Sequence, residues 1–429
     1  MDIRYLYSAF QKSGLVSTDS RNIRSGCLFF ALKGDNFNGN LFALQAIESG
    51  ASLAVVDEDT GQRHSQIIRV DHVLATLQEL AQHHRRQLSL PLIAITGSNG
   101  KTTTKELCKA VLAKKFRVQA TEGNLNNHIG VPLTLLSIDP LTDVGIIEMG
   151  ANHPGEISLL CDIAEPDFGL ITNIGKAHLE GFGSLEGVAR AKGELFEHLR
   201  HRGKTIFVNE KDPLVAKLVP KSYARVSYYN GPRGIAEKHA HADPFLSLET
   251  AGGAESLKIS TNLLGRYNIE NVLAACCVGI KFGVPVKDIE EAIHNYKPGN
   301  NRSQYIETGK NRLFMDAYNA NPSSMHAAIS EFLQTREEKK VLILGEMREV
   351  GTSSRHEHEK LLEWLAGKEL TEIICVGRSF EGMMPKTGFR YFETADKLSG
   401  YLLQNPVQDC FILIKGSRSN RLEKIVPFL

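Results

Sequence analysis

The chain has 429 residues, 42% apolar and 23% charged, with a formal net charge of +1. That length predicts about three domains and that composition several apolar cores; the near-zero charge and the lack of any run of about 20 apolar residues exclude a nucleic-acid-binding or membrane-spanning chain. The N-terminal string Met1-Asp2-Ile3-Arg4 reads as neither a signal nor a transit peptide. The seven scattered cysteines, without a C-x-x-C pair, fit reduced thiols in a cytoplasm.

In chain order, residues 1–88 make a first block. Short apolar runs at 27–31 and 53–56 predict strands between polar turns, and 73–87 a helix. The second block, 89–298, alternates short apolar strands (93–96, 144–148, 168–172, 204–208) with helical stretches, which predicts a mostly parallel sheet covered on both faces. Its last helical pattern spans 262–282. Pro298-Gly299-Asn300-Asn301 punctuates the chain. The third block, 299–429, repeats the alternation with strands at 312–316, 341–344, 373–376 and 410–415, and predicts a Rossmann-like open sheet. The expected fold class is α/β in three domains.

The strand at 93–96 runs into Gly97-Ser98-Asn99-Gly100-Lys101-Thr102-Thr103. Glycines there let backbone N–H groups close around phosphate oxygens. Lys101 adds a mobile charge, Thr102 a hydroxyl for a metal, and the following helix its N-terminus. Ile95 stands where the standard G-x-x-x-x-G-K-[ST] loop has its first glycine.

Ligands of open α/β sheets bind beyond the C-terminal strand ends, and polar residues cluster there. Glu148 ends the strand at 144–148 and is either a Mg²⁺ ligand or a cap. His178 follows the strand at 168–172, as a ligand or a structural histidine. Lys192 lies in a helix and reads as a snorkelling surface lysine. In the third block, 316–325, 345–351 and 415–421 are polar loops at corresponding strand ends; the Asn-Pro and Ser-Ser elements of the first predict a turn and a helix cap. The histidines of Arg355-His356-Glu357-His358-Glu359 are two apart and point to different sides of a helix, so they make no zinc site.

Together these strings resemble the Mur ligases, the ATP-dependent amide-forming enzymes that build the peptide of bacterial peptidoglycan. The resemblance runs from Thr18-Asp19-Ser20-Arg21 to Lys415-Gly416-Ser417-Arg418, and the family's loop is the shortened G-[TS]-x-G-K-T-T. Gly123-Asn124-Leu125-Asn126-Asn127-His128-Ile129-Gly130-Val131-Pro132, Asp316-Ala317-Tyr318-Asn319-Ala320-Asn321-Pro322 and Leu344-Gly345-Glu346-Met347 are most similar to the member that joins D-alanyl-D-alanine to a UDP-N-acetylmuramoyl tripeptide. A sister ligase that adds a single amino acid is the alternative.

The resemblance implies the following roles. Gly97 to Thr103 hold ATP phosphates, with Lys101 catalytic. Thr102, Glu148, His178 and Lys192 serve two Mg²⁺ sites, Lys192 after carbamylation by CO₂. Asn268 and Asn271 lie on the adenine side; Tyr267, where the family has His, departs from its pattern. Arg302 and Asp316 reach ATP from the third domain. Ser20 and Arg21 belong to a UDP-binding module, and Asn126 and Asn127 to the substrate set. Asn319, Asn321, Glu346, Met347 and His358 surround the incoming dipeptide. A hinge is expected near 298–302, the partners are small molecules, and family members are mostly monomers.

Overall fold

The structure is a computed structural model, and it describes every residue except Met1, Thr60, Gln62, 253–255, Glu349 and 384–388, together with the side chain of Leu179. Met1 of the N-terminal string and Glu349 of the 345–351 loop therefore lie outside the described residues.

The first block carries a four-stranded parallel sheet in the order Val16–Ser17, Leu28–Phe30, Leu53–Val56, Ile67–Arg69. Its helix Val73–Gln87 has the bounds that the sequence predicts. A further helix, Ile3–Ser13, was not expected from the pattern; Asp2 caps its start and Gly14, at φ 63°, its end.

The second block builds a six-stranded parallel sheet: Val226–Tyr229, Thr205–Asn209, Phe168–Ile171, Leu92–Thr96, Val144–Glu148, Val118–Ala120. Leu92–Thr96 is buried at every residue because helices cover both faces. Ile93 and Ile95 pack with the helices Lys101–Leu112 and Ile269–Lys281. Leu92 and Ala94 join a different core, with Glu156–Ala164 and Leu185–His201. That second core continues without a break into the first sheet. The buried Arg85 guanidinium clamps the connection: Nε donates to the Ala164 carbonyl (2.9 Å), Nη1 to Leu88 (3.1 Å), and Nη2 to Asp167 Oδ2 (2.8 Å).

The sequence pattern predicts one helix over 262–282, and there the structure corrects it. Lys258–Leu264 is a strand of a small antiparallel sheet with Ala236–Ala242 and Phe245–Ala251. Gly265, at φ 82°, ends it, and the helix begins only at Ile269. The strand's alternating burial is invisible in a sequence whose Leu263 and Leu264 continue smoothly into helical spacing.

The third block forms a six-stranded sheet ordered Gln304–Glu307, Arg312–Asp316, Phe411–Lys415, Lys340–Gly345, Glu372–Val376, Phe389–Phe392. Only its first strand is antiparallel. The four expected strands are its interior. The two edge strands, neither of them fully buried, lack the apolar run that marks the others. All seven cysteines are free and buried. Among the described residues no helix is long and apolar enough to cross a membrane.

Candidate active site

The C-terminal strand ends of the central and third sheets face each other across a cleft of about 1020 Å³. Six of the seven loop residues, Ser98 to Thr103, line it, as do Asn126, Asn127, Glu148, His178, Asn268, Asn271, Arg302, Asp316 and Asn319. Gly97, Ser20, Arg21, Lys192, Asn321, Glu346, Met347 and His358 do not.

The phosphate loop needs its two glycines for space as well as for φ. A Cβ on Gly97 (φ 142°) would lie 2.0 Å from Thr172 Oγ1, and one on Gly100 (φ 80°) 2.5 Å from Asn271 Oδ1. Ile95 is not a missing glycine but a core residue of the strand, paired in register with Glu148. The Lys101 ammonium folds back onto the carbonyls of Gly97 (2.7 Å) and Ser98 (3.3 Å).

Glu148 is 2% exposed. Its Oε2 accepts from the Thr102 hydroxyl (2.9 Å) and its Oε1 from Asn126 Nδ2 (2.9 Å). Lys105, 1% exposed, places Nζ 3.8 Å from Oε2 and also holds Glu106 (3.0 Å) and the Thr121 carbonyl (2.5 Å). Sequence reasoning missed Lys105. Its signal was position: three residues after Thr102 and four after Lys101, it shares their helix face.

Lys192 is a buried lysine, not the surface residue that its helix suggested. It is 1% exposed. Nζ contacts the Ala151 carbonyl (3.3 Å) and stands 5.3 Å over the Phe182 ring, so it sits one layer behind the cleft wall that Ala151 lines. Burial, then the charge of Lys101, push its pKa down to about 7. His178 has a left-handed backbone (φ 51°) and its ring meets Phe182 edge-on.

Asn268 and Asn271 tie the helix Ile269–Lys281 to the phosphate-loop helix. Asn271 Nδ2 donates to Asn268 Oδ1 (2.8 Å), and Asn271 Oδ1 accepts from the Thr104 hydroxyl (3.0 Å). Tyr267 reaches the third block, its hydroxyl 3.0 Å from Ser303 Oγ. Arg302 stacks 3.6 Å from the centre of the Tyr318 ring, with Arg418 also near that ring at 5.2 Å. Asp316 pairs with the buried Lys415 at 2.5 Å.

The third-block loops divide. Asn319 faces the cleft; across it, in the second block, Asn127 also lines it, and its Oδ1 accepts from the Gly130 N–H (2.9 Å). Asn321 caps the helix Pro322–Gln334, as its sequence predicts. Glu346, Met347 and His358, expected around a dipeptide, are buried away from the cleft. His358 Nε2 accepts from the Met347 N–H (2.9 Å), and Glu346 is held by Ser379 and Arg348. In this arrangement these contacts brace the loop after the strand Lys340–Gly345. Ser20 is buried in the first block, and the exposed Arg21 pairs with Asp19 (2.8 Å).

Among the described residues no three His, Cys, Asp or Glu side chains cluster to hold a metal. One carboxylate beside one hydroxyl, at the mouth of a phosphate loop, fits the hard, largely phosphate- and water-ligated Mg²⁺ rather than an all-protein cage.

Family models match nearly the whole chain: "Mur ligase family, catalytic domain" over 14–85, "Mur ligase middle domain" over 95–279, and "Mur ligase, glutamate ligase domain" over 301–418. The chain belongs to the Mur ligase family. Similar relatives include UDP-N-acetylmuramoyl-tripeptide--D-alanyl-D-alanine ligases of Bacillus subtilis (34% identical, 96% of this chain and 92% of the relative) and Escherichia coli (36%, 96% and 93%). Similar solved structures are MurF from Acinetobacter baumannii (TM-score 0.86, 30% identical, 96% of this chain and 92% of that one) and MurF ligase from Thermotoga maritima in complex with ADP (0.86, 27%, 96% of each).

A lysine whose folded pKa is about 7, against an ordinary 10.5, leaves the unfolded chain binding more protons between those values. Folding stability should therefore rise with pH across that window, by at most about 1.4 kcal/mol per pH unit from this group, and the penalty is fully present below pH 7. Lys192→Met should flatten that rise and stabilise the protein at pH 6. Urea midpoints between pH 6 and 10 check this; an unchanged slope contradicts it.

Proposed function

We propose that this chain joins D-alanyl-D-alanine to a UDP-N-acetylmuramoyl tripeptide at the expense of ATP, through an acyl phosphate. The observation that carries the reading is the convergence of the phosphate loop, the Thr102–Glu148 pair and the Asp316–Asn319 segment in one cleft. Whole-length identity with ligases of that name supports it.

A carboxylate is a poor electrophile with no good leaving group. Phosphorylation by the γ-phosphate of ATP gives it one; the dipeptide amine then attacks the carbonyl, and phosphate leaves. The first step brings two anions together, so the residues must offset their repulsion. Lys101 swings from the Gly97 and Ser98 carbonyls to the phosphates, and the N-terminus of the helix Lys101–Leu112 adds its dipole. Thr102 and Glu148 would hold Mg²⁺ in place of their mutual hydrogen bond, with His178 toward a second ion. Bound there, Mg²⁺ neutralises charge on phosphate oxygens. Arg302 and Asp316 bring the third block to the nucleotide, and Asn268 and Asn271 form the wall on its base side. The reading extends to a cytoplasmic monomer that divides near residues 88 and 298, with Ser20 and Arg21 toward the UDP end.

Lys192 supplies an anion in this scheme. As a neutral amine it attacks CO₂, loses a proton and becomes a carbamate, which carries oxygen ligands where an ammonium would repel a cation. A pKa near 7 makes the neutral amine abundant at physiological pH.

Phosphate release should require ATP, the UDP-linked tripeptide and D-alanyl-D-alanine together. Activity with single amino acids in place of the dipeptide would instead point to a sister ligase. Lys192→Ala should lower turnover about a hundredfold or more, on the scale of losing one electrostatic stabiliser. Added short carboxylates should restore part of it. Loss without rescue removes the support for a carbamate, and near-wild-type turnover eliminates it.

A further inference from the structure

Asn99 sits at the variable position of the phosphate loop, and in the structure its backbone N–H, its carbonyl and its side-chain oxygen all have protein partners. Its N–H donates to Asn173 Oδ1 (3.0 Å). Its carbonyl accepts from Thr172 Oγ1 (2.6 Å) and Asn173 Nδ2 (3.1 Å). Its side-chain oxygen accepts from Asn321 Nδ2 (2.8 Å), 222 residues further along the chain. The contact joins the loop of the central sheet directly to a loop of the third.

The orientation of this amide pair is fixed by its surroundings. Asn321 caps the helix Pro322–Gln334, and its Oδ1 accepts from Ser324 N (2.8 Å). Its Nδ2 must therefore be the end that faces Asn99, so Asn99 presents its oxygen. Asn321 is 6% exposed and Ser324 completes a capping box, so the Asn321 amide does not swing freely. Beside them, a Cβ on Gly175 would meet Ser323 Oγ at ordinary contact distance, 3.5 Å. The helix start is thus seated on the phosphate loop and its neighbouring strand-end loop. The segment immediately before it, Asp316 to Asn319, faces the cleft.

We propose that Asn99 is a positioning residue: its hydrogen bond to Asn321 seats the start of the helix Pro322–Gln334 on the phosphate loop and so holds the 316–319 segment over the transferred phosphoryl group. The catalytic consequence rests on the ligase reading above; the seating itself does not. Any shift of the loop around a phosphate is transmitted to the acceptor side through this pair. Removing it leaves the loop's glycines, Lys101 and the helix dipole in place, so it should slow turnover without weakening ATP.

Two readouts test it on the full chain. The first is backbone amide exchange over residues 321–326. Asn99→Ala touches none of those residues covalently, and losing one hydrogen bond should speed their exchange about fivefold. Exchange within twofold of wild type overturns the proposal. The second is a double-mutant cycle in turnover with Asn99→Ala and Asn321→Ser, the latter keeping a cap. Each single change should lower kcat about tenfold, with KM for ATP within twofold, and the double variant should be no slower than the slower single. Losses that multiply to about a hundredfold, or a raised KM for ATP at unchanged kcat, overturn it. An exchange response in Asn99→Ala, together with a wild-type protein that releases no phosphate with D-alanyl-D-alanine, would sink the acceptor assignment and leave the seating intact.

Discussion

Glu148 is a carboxylate kept almost wholly out of water, and the rest of the cleft is arranged around it. An uncompensated anion there would be costly. The structure meets that cost with three side chains from two segments: Thr102 and Lys105 on the phosphate-loop helix, and Asn126 on the loop after the edge strand. Each partner also fixes its own segment. Lys105 reaches back to the Thr121 carbonyl, and Thr121 Oγ1 accepts from the Glu148 N–H. The phosphate loop, the strand end and the 121–127 loop are thereby joined into one polar unit by the protein's own side chains.

Preorganisation of this kind is what phosphoryl transfer between anions demands. The reaction offers the protein little covalent work, so its contribution is charge and placement. The central sheet supplies the charge and the third sheet the placement. The first sheet has a different task. It shares a core with the central sheet and is clamped to its base by Arg85, so the end of the UDP-linked substrate that it would hold is fixed relative to the phosphate loop.

Much of the fold was legible because buried parallel strands are uninterrupted apolar runs, and these stand out between turn residues. The strands at 144–148 and 312–316 were read to the residue for that reason. The half-exposed edge strands 304–307 and 389–392 and the antiparallel sheet at 236–264 carry no such run, and Leu263-Leu264 before Gly265 imitated a helix. In the site, Lys101 and Thr102 were legible from order along the chain (strand, glycines, cation, hydroxyl), and Glu148 from its place at a strand end. Lys192 and Lys105 were not, since a lysine on a helix gives no sign of burial until neighbouring elements close over it. His358 entered only through the family resemblance, and nothing in its sequence neighbourhood signals that its ring accepts from the Met347 N–H.

The central claim is that the substrate carboxylate itself takes the phosphoryl group in this cleft. Isotope transfer measures that directly: the tripeptide is labelled with ¹⁸O in the carboxylate to be joined, and the phosphate released in the presence of ATP and D-alanyl-D-alanine is weighed by mass spectrometry. One labelled oxygen in each phosphate is the predicted result. Amide formation with unlabelled phosphate would contradict the account.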